Sequence, residues 1–189
     1  MNNKKRIAIF ASGNGSNFEA IAEACRQNRL DAQVALCVCD HPGAYVTERA
    51  KRLEIPVLEF KPKNYSGKEE YERMILSELQ KEEVELICLA GYMRIVGKTL
   101  LDAYKEKIIN IHPSLLPAFP GVDAIGQALK YGVKVFGVTV HFVDETLDGG
   151  KIISQIAIPY EGGDREEVET IIHAWEHAIY VSTLKKLLN

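Results

Sequence analysis

The feature that most restricts the fold is a repeated alternation of apolar runs of strand length with stretches of helical spacing. Arg6-Ile7-Ala8-Ile9-Phe10-Ala11 has no polar break, as a strand covered on both faces reads. Ser12 to Asn17 then form a tight turn of small residues, and the spacing over Phe18 to Gln27 predicts a helix with Phe18, Ile21, Ala22 and Cys25 on one face. The order recurs: strand 34–39, helix 44–53 closed by Pro56, short strand 57–60, helix 66–81, strand 84–90, brief helix 97–104, strand 107–111. Ser66 is expected to cap the 66–81 helix, with Glu69 completing a capping box. Such alternation over about the first 110 residues predicts a parallel sheet with helices on both faces. Asp123 is expected to cap a helix through Tyr131, and Asp164 a last helix with Glu in its first turn and Lys in its last. Strands are expected at 135–143 and 151–158, joined only by a polar turn and therefore antiparallel. The expected class is α/β: a mostly parallel twisted sheet of about seven strands with its last strands antiparallel. No repeat or linker interrupts the chain, so a single domain over 1–189 is expected.

Composition narrows the function classes. A chain of 189 residues that is 47% hydrophobic suits one substantial core and not a disordered segment. Its 23 basic and 26 acidic residues are mixed, for a net charge of -3, and no basic block suggests a nucleic-acid partner. The basic start, Met1 to Arg6, precedes an apolar run of only Ile7 to Ala11, too short for a signal peptide or a membrane span. A soluble, cytoplasmic chain is expected. Three of the cysteines Cys25, Cys37, Cys39 and Cys88 sit in apolar runs, and Cys37 and Cys39 read as buried small hydrophobes.

The chemistry-bearing centre is Ile108-Ile109-Asn110-Ile111-His112-Pro113. The strand must stop at Pro113, which has no N–H for a sheet ladder. Asn110 and His112 are two apart and project to the same side of it. An amide and an imidazole thus stand at the C-terminal end of a strand, where open α/β sheets bind ligands. A packed histidine beside a turn-forming asparagine fits this stretch equally well. The first turn, Ser12-Gly13-Asn14-Gly15-Ser16-Asn17, offers backbone amides at a helix start and uncharged side-chain donors. It lacks the third glycine of a dinucleotide fingerprint, having Phe18 there, and it lacks a P-loop lysine. A phosphate monoester fits it better than a pyrophosphate; a plain strand-to-helix turn is the other reading. Asp40, at the end of the second strand, is a weak imitation of a ribose-binding acid.

Three further segments carry polar groups. Asp148-Gly149-Gly150 follows a strand containing His141, and a carboxylate placed beside His112 would favour its imidazolium. Alone, Asp148 reads as a turn residue. Gly91-Tyr92-Met93-Arg94-Ile95-Val96 sits at another strand end, where a flat apolar ligand fits, as does ordinary packing with a solvated arginine. His173-Ala174-Trp175-Glu176-His177 matches the H-x-x-E-H zinc pattern, but no acidic residue follows His177 to complete the ligand set, so no metal is expected.

Together the segments A-S-G-N-G-S-N, L-A-G-Y-M-R-I, I-N-I-H-P-S-L-L-P with F-P-G, V-H-F-V-D-E-T-L-D-G-G and E-H-A-I-Y, in this order, resemble the phosphoribosylglycinamide formyltransferases among the folate-dependent formyltransferases. The resemblance covers nearly the whole chain. It implies transfer of a formyl group from 10-formyltetrahydrofolate to the amine of glycinamide ribonucleotide, in purine biosynthesis. It implies a catalytic set of Asn110, His112 and Asp148, with Asp148 holding His112 protonated. It implies that the substrate phosphate lies in Ser12, Gly13, Asn14, Gly15, Ser16 and Asn17, with Glu176 on the ribose or amine side. It places the folate along Met93, Arg94, Ile95, Val96, Asn110, Val143 and Asp144, with Lys68 where relatives often carry arginine. Lysine supplies charge without a bidentate fork. After Pro120-Gly121 the chain reads Val122-Asp123-Ala124-Ile125-Gly126, where some members carry histidines, and Gly121 with Gly126 lead us to expect a mobile lid over 113–126. The resemblance leaves monomer and homodimer open. Formyltetrahydrofolate deformylase and a non-catalytic nucleotide-phosphate binder are the alternatives. Methionyl-tRNA formyltransferase fits less well, since the chain ends at Asn189 without a further domain or a basic surface signal.

Overall fold

The computed structural model describes residues 4–188. In chain order the elements are β1 (Lys5–Ala11), α1 (Ser16–Arg26), β2 (Ala32–Cys39), α2 (Tyr45–Arg52), β3 (Val57–Glu59), α3 (Lys68–Lys81), β4 (Leu86–Leu89), α4 (Lys98–Ala103), β5 (Ile108–His112), α5 (Ala124–Tyr131), β6 (Val135–Phe142), β7 (Ile152–Pro159) and α6 (Arg165–Leu188). One sheet holds all seven strands in the order β3-β2-β1-β4-β5-β6-β7. The first five are parallel, while β6 runs antiparallel to β5 and β7 antiparallel to β6. The α/β architecture expected from the alternation is the one found.

The sheet separates two cores, and the period-2 geometry of β1 assigns its residues to them. Ile7, Ile9 and Ala11 pack against Phe18 and Ile21 of α1, Ile125 of α5 and Ile172 of α6. Ala8 and Phe10 pack on the other face against Tyr71, Ile75 and Leu79 of α3 and Leu100 of α4. Ile75 and Leu79 are both fully buried and lie one helical turn apart, so each contributes roughly 1.5–3 kcal/mol to holding α3 on the sheet. All four cysteines are free and buried, and burial pushes the Cys37 thiol up to about 12. They are packing residues.

Several local expectations need correction. Helix α1 begins at Ser16, with Gly15 as its N-cap at φ 78°, so Ser16 and Asn17 belong to the helix and not to the turn. Helix α3 begins at Lys68 with Gly67 as N-cap. Ser66 donates instead to Glu70, through its N–H at 2.6 Å and its hydroxyl at 2.7 Å, so the expected box with Glu69 is not formed. The extended Gly67 shifts the helix start by two residues and brings Glu70 round to Ser66. Asp123 does precede α5, and its carboxylate faces Arg165 at 2.7 Å. Gly126 is not a loop hinge: it lies inside α5, and the Asp123 carboxylate fills the space a Cβ would need. Asp164 caps α6 with a reciprocal pair, Glu167 N–H to Asp164 Oδ1 at 3.0 Å and Asp164 N–H to Glu167 Oε2 at 3.3 Å.

The β5–β6 register positions the site. Asn110 lies opposite His141, and His112 opposite Thr139. Directly opposed residues share a face. Thr139 is fully buried, and its Oγ1 donates to the Ser114 carbonyl at 2.7 Å. The same oxygen accepts from Leu116 N–H at 3.1 Å and Gln155 Nε2 at 2.9 Å. This junction fixes the chain where it leaves β5. Thr139→Val removes it while keeping the shape, and stability is expected to fall by about 1–3 kcal/mol because buried groups lose partners. Urea unfolding of the two chains measures this; an unchanged midpoint would show that water replaces the hydroxyl.

Candidate active site

The sheet reverses direction between β1 and β4, since β2 and β3 build outward one way and β4 and β5 the other. Loops leaving the C-terminal ends of β1 and β4 therefore flank a crevice. They are tied across it: Ser12 N–H donates to the Gly91 carbonyl at 3.0 Å, and Met93 N–H to Ser12 Oγ at 2.9 Å. The turn after β1, the loop after β4 and the end of β5 open on this edge, and the segment between β6 and β7 brings Asp148 back to His112.

Asn110, His112 and Asp148 do meet. His112, nearly buried, has its Nδ1 3.5 Å from Asp148 Oδ2. Asp148 holds φ at 50°, and its Oδ2 also accepts Gly121 N–H at 2.7 Å. The other carboxylate oxygen, Oδ1, lies 3.8 Å from His141 Nε2. One carboxylate thus faces two imidazoles and one loop amide. His112 Nε2 lies 2.8 Å from the Phe119 carbonyl, an acceptor, so Nε2 carries a hydrogen. The ring's second nitrogen is therefore engaged by its own loop.

His141 joins this group, a position that its strand pattern alone does not reveal. Its Nδ1 lies 2.8 Å from the Phe142 carbonyl and must donate there. Its Nε2 is then the acceptor for Asn110 Nδ2 at 3.2 Å. Burial, the largest influence, holds its pKa below the usual value, against the pull of the Phe142 carbonyl and Asp148. A neutral His141 fixes which way the Asn110 amide points and leaves the second Nδ2 hydrogen for a ligand. The signal in the sequence was the β5–β6 register, which only strand pairing reveals. The ladder with β7 shifts between Val140 and His141, an irregularity of the kind that re-aims side chains beside active sites.

The first turn is built for an anion. Gly15 at φ 78° would drive a Cβ into Val46, 2.6 Å from its Cβ, so only glycine fits. The free N–H groups at the start of α1 follow at once. Gly13 and Asn14 are exposed, Ser12 and Ser16 half-buried, and Asn17 buried. Asn17 Nδ2 donates to Glu176 Oε2 at 3.1 Å, and His173 Nδ1 lies 2.8 Å from the same oxygen. That bond raises the His173 pKa, against burial. Glu176 is buried and stands beside the turn, while His173 and His177 show no shared ligand geometry: His177 Nε2 is buried without a partner. Among the described residues no cluster of His, Cys, Asp and Glu could hold a metal.

The loop after β4 presents Met93 and Ile95 to solvent, 74% and 64% exposed, while Val96 is buried. Two apolar side chains held out at a crevice are ready-made contact for a flat ligand. Arg94 is exposed but paired: its Nε donates to Asp40 Oδ2 at 2.8 Å, and this bond raises its pKa further. Asp40 is buried; its Oδ2 is taken by this pair, while its Oδ1, also buried, has no hydrogen-bond partner among the described residues. Gly97 N–H donates at 2.6 Å to Glu72, a buried carboxylate whose pKa burial raises. Lys68 is exposed, and its stem lies where a Cβ on Gly97 would be, 2.7 Å away, which sets it beside this loop. Val143, half-buried, donates its N–H to the Ile108 carbonyl at 2.9 Å. Asp144 is exposed, bound by the Thr146 hydroxyl and N–H, which lower its pKa.

A loop with exposed apolar side chains, a glycine turn at a helix start, and an amide with an imidazole and a carboxylate between them fit an acyl-transfer site. The sequence matches the formyl transferase family over residues 5–184. The chain belongs to that family. Within it, the chain is 56% identical over 185 residues to the phosphoribosylglycinamide formyltransferase of Bacillus subtilis, covering 97% of this chain and 95% of that one. It is 39% identical to the Haemophilus influenzae protein of the same name, covering 96% and 86%. The crystal structure of glycinamide ribonucleotide transformylase 1 from Geobacillus kaustophilus superimposes with a TM-score of 0.96 at 53% identity, covering 99% and 100%. The trifunctional purine biosynthetic protein adenosine-3 of Drosophila melanogaster is 39% identical over 98% of this chain, which spans only 14% of that longer protein. A formyl transferase of this family requires a formyl donor, and Met93 and Ile95 present exposed apolar side chains on this edge.

A depressed His141 makes the stability of this formyl transferase depend on pH. Its folded pKa lies below the unfolded value of 6.5, so its contribution is present above that value and is lost as pH falls through it. His141→Gln is expected to show a smaller loss of stability between about pH 7.5 and about pH 5.5 than the parent. Urea titrations at the two pH values supply the comparison; equal losses would mean that His141 is not held neutral.

Proposed function

We propose that the chain transfers the formyl group of 10-formyltetrahydrofolate to the amine of glycinamide ribonucleotide, as an enzyme of purine biosynthesis working in the cytoplasm. Residues 1–189 act as a single formyltransferase domain in this reading. The observation that carries it is the meeting of Asn110, His112 and Asp148 at the end of β5, between an anion turn and an exposed apolar loop. The names of the relatives support the same substrates.

The reaction follows from the donors present. The substrate amine attacks the formyl carbon, and the carbonyl oxygen becomes anionic as the carbon turns tetrahedral. Asn110 gives that oxygen its free Nδ2 hydrogen, the other being held by His141. His112 gives its Nε2 hydrogen, which moves from the Phe119 carbonyl to the substrate oxygen. The loop carrying Phe119 must shift for this, which gives the lid expected over 113–126 a chemical role. Asp148 stands beside the other ring nitrogen and complements the positive charge a protonated ring carries. The carbon–nitrogen bond to the folate then breaks. Its nitrogen takes a proton, and the new amide nitrogen loses one, with His112 as the carrier. Ser12, Gly13, Asn14, Gly15, Ser16 and Asn17 hold the phosphate, Glu176 the ribose or amine side. Met93, Arg94, Ile95, Val96, Val143 and Asp144 line the folate, with Arg94 contributing its backbone because Asp40 holds its side chain. Lys68 reaches the folate tail. No metal enters the scheme, and monomer and homodimer are equally compatible with it.

Mixing the protein with a 10-formyl folate analogue and glycinamide ribonucleotide, and following absorbance of the released folate, is the direct test. Release without the amine substrate would favour formyltetrahydrofolate deformylase; no release would favour a non-catalytic phosphate binder. Asn110→Ala is expected to lower kcat by about 10²–10³ while the melting temperature stays close to that of the parent, because one oxyanion donor is removed from a half-buried position. A loss below about tenfold would remove Asn110 from the oxyanion site.

A further inference from the structure

We propose that Arg49, on α2, is the positioning residue of the phosphate turn: it sets the orientation of Asn14 and supplies the positive charge that the turn itself lacks. This rests on the reading of Ser12–Asn17 as the site of a substrate phosphate. A phosphate monoester carries a charge of about −1.5 to −2 near neutral pH, and the turn contains no lysine or arginine. Helix-start amides supply only partial charge. The nearest full positive charge is underneath. Arg49 Nε donates to the Asn14 carbonyl at 2.9 Å, and its NH2 donates to Asn14 Oδ1 at 2.9 Å. Its NH1 faces Glu19 of α1. The side chain is only 15% exposed, and the guanidinium lies 4.7 Å from the Tyr45 ring centroid, so it is held on several sides.

The consequence is geometric and electrostatic together. Both acceptors of Asn14 are turned down onto Arg49, away from the space above the turn, where they would repel an anion. The amides are left facing that space. One helical turn earlier, Val46 N–H takes the Gly13 carbonyl at 3.0 Å in the same way, and the Val46 side chain closes the space beside Gly15. Helix α2 therefore grips Gly13 and Asn14 by their acceptors and packs Val46 against Gly15. Glu19 is shared by Arg49 and Arg52, so this one carboxylate does not cancel both cations. The groups of α6 facing this cluster are His177, which burial keeps neutral, and Glu176.

Turnover of glycinamide ribonucleotide by the parent enzyme is established first, since its absence would defeat the underlying reading and not the role of Arg49. Arg49→Gln is then compared on glycinamide ribonucleotide and on its nucleoside, which lacks the phosphate. The expected result is a KM for the nucleotide raised about 10–100-fold, the value of charge-assisted hydrogen bonds. Both kcat and the KM of the formyl donor stay within about twofold, and kcat/KM on the nucleoside matches that of the parent. Arg49→Lys keeps the charge but cannot hold both Asn14 acceptors, and is expected to recover only part of the loss. Equal loss on nucleotide and nucleoside, or an unchanged nucleotide KM, overturns the proposal. If Arg49→Gln fails to bind a folate analogue, the same comparison is made with Arg49→Lys, and equal loss on both substrates is again decisive against it. Inorganic phosphate gives a reading independent of turnover: it is expected to raise the Tm of the parent and not that of the Arg49 variant, and equal shifts overturn the proposal.

Discussion

The reversal of strand order between β1 and β4 is the constraint on which the site depends. Parallel neighbours on either side of β1 can be reached only through crossover helices, which pass over opposite faces of the sheet as the chain turns outward in the two directions. At that point two consecutive strand ends have no helix between them. The chain leaving β1 and the chain leaving β4 face each other there, and Ser12 bonds to Gly91 and Met93 across the gap. The same crevice reaches the end of β5. Tyr180 of α6, fully buried, sets its hydroxyl 2.9 Å from the Leu89 carbonyl and 3.2 Å from the Ile109 carbonyl, satisfying acceptors on β4 and β5 beside Asn110.

Loops around such a crevice must be held in place without being buried, and this chain does it with carboxylates. Asp148 takes Gly121 N–H, Glu72 takes Gly97 N–H, Asp40 takes Arg94, and Glu176 takes Asn17 and His173. Asp40, Glu72 and Glu176 are buried, with exposures of 2%, 3% and 4%. A buried carboxylate left unpaired is strongly destabilising, so the contacts of Glu72 and Asp40 each select one loop conformation, while that of Glu176 ties α6 to the start of α1. Packing holds the sheet and helices, whereas paired charge holds the loops that carry the chemistry.

That division explains what could be read from the sequence. The strands and helices were legible because apolar periodicity is local: Ile7–Ala11 and Ile108–Ile111 announce buried parallel strands on their own. The grouping of Asn110, His112 and Asp148 was legible through motif resemblance, and the shared face of Asn110 and His112 through strand period as well. What was missed is what depends on pairing between distant residues. His141 acquires its role from a register with Asn110 31 residues earlier, and Arg94 gains an ion pair from Asp40, 54 residues away. The Ser66 capping pattern failed for a nearer reason: Gly67 adopts an extended conformation and takes over the N-cap, which moves Glu69 out of reach. Gly126 looked like a hinge because glycine frees the backbone. Here the absent Cβ makes room for the Asp123 carboxylate over the first turn of α5.

Two imidazoles share one carboxylate in this site, and hydrogen bonding decides how they differ. His141 spends its Nδ1 hydrogen on the next residue's carbonyl, so its Nε2 is an acceptor, and the charge of Asp148 meets a lone pair there at 3.8 Å. His112 spends its Nε2 hydrogen on Phe119, so its Nδ1, at 3.5 Å, is the nitrogen that gains from a proton facing Asp148. The carboxylate therefore acts on His112 for charge and on the loop for position, because the oxygen nearest the ring is also the one that holds Gly121 N–H. A loop shift that frees Phe119 from His112 acts on the Gly121 contact two residues away. The Phe119 contact of His112 and the carboxylate beside its other nitrogen are thus coupled through Asp148 and its hold on Gly121.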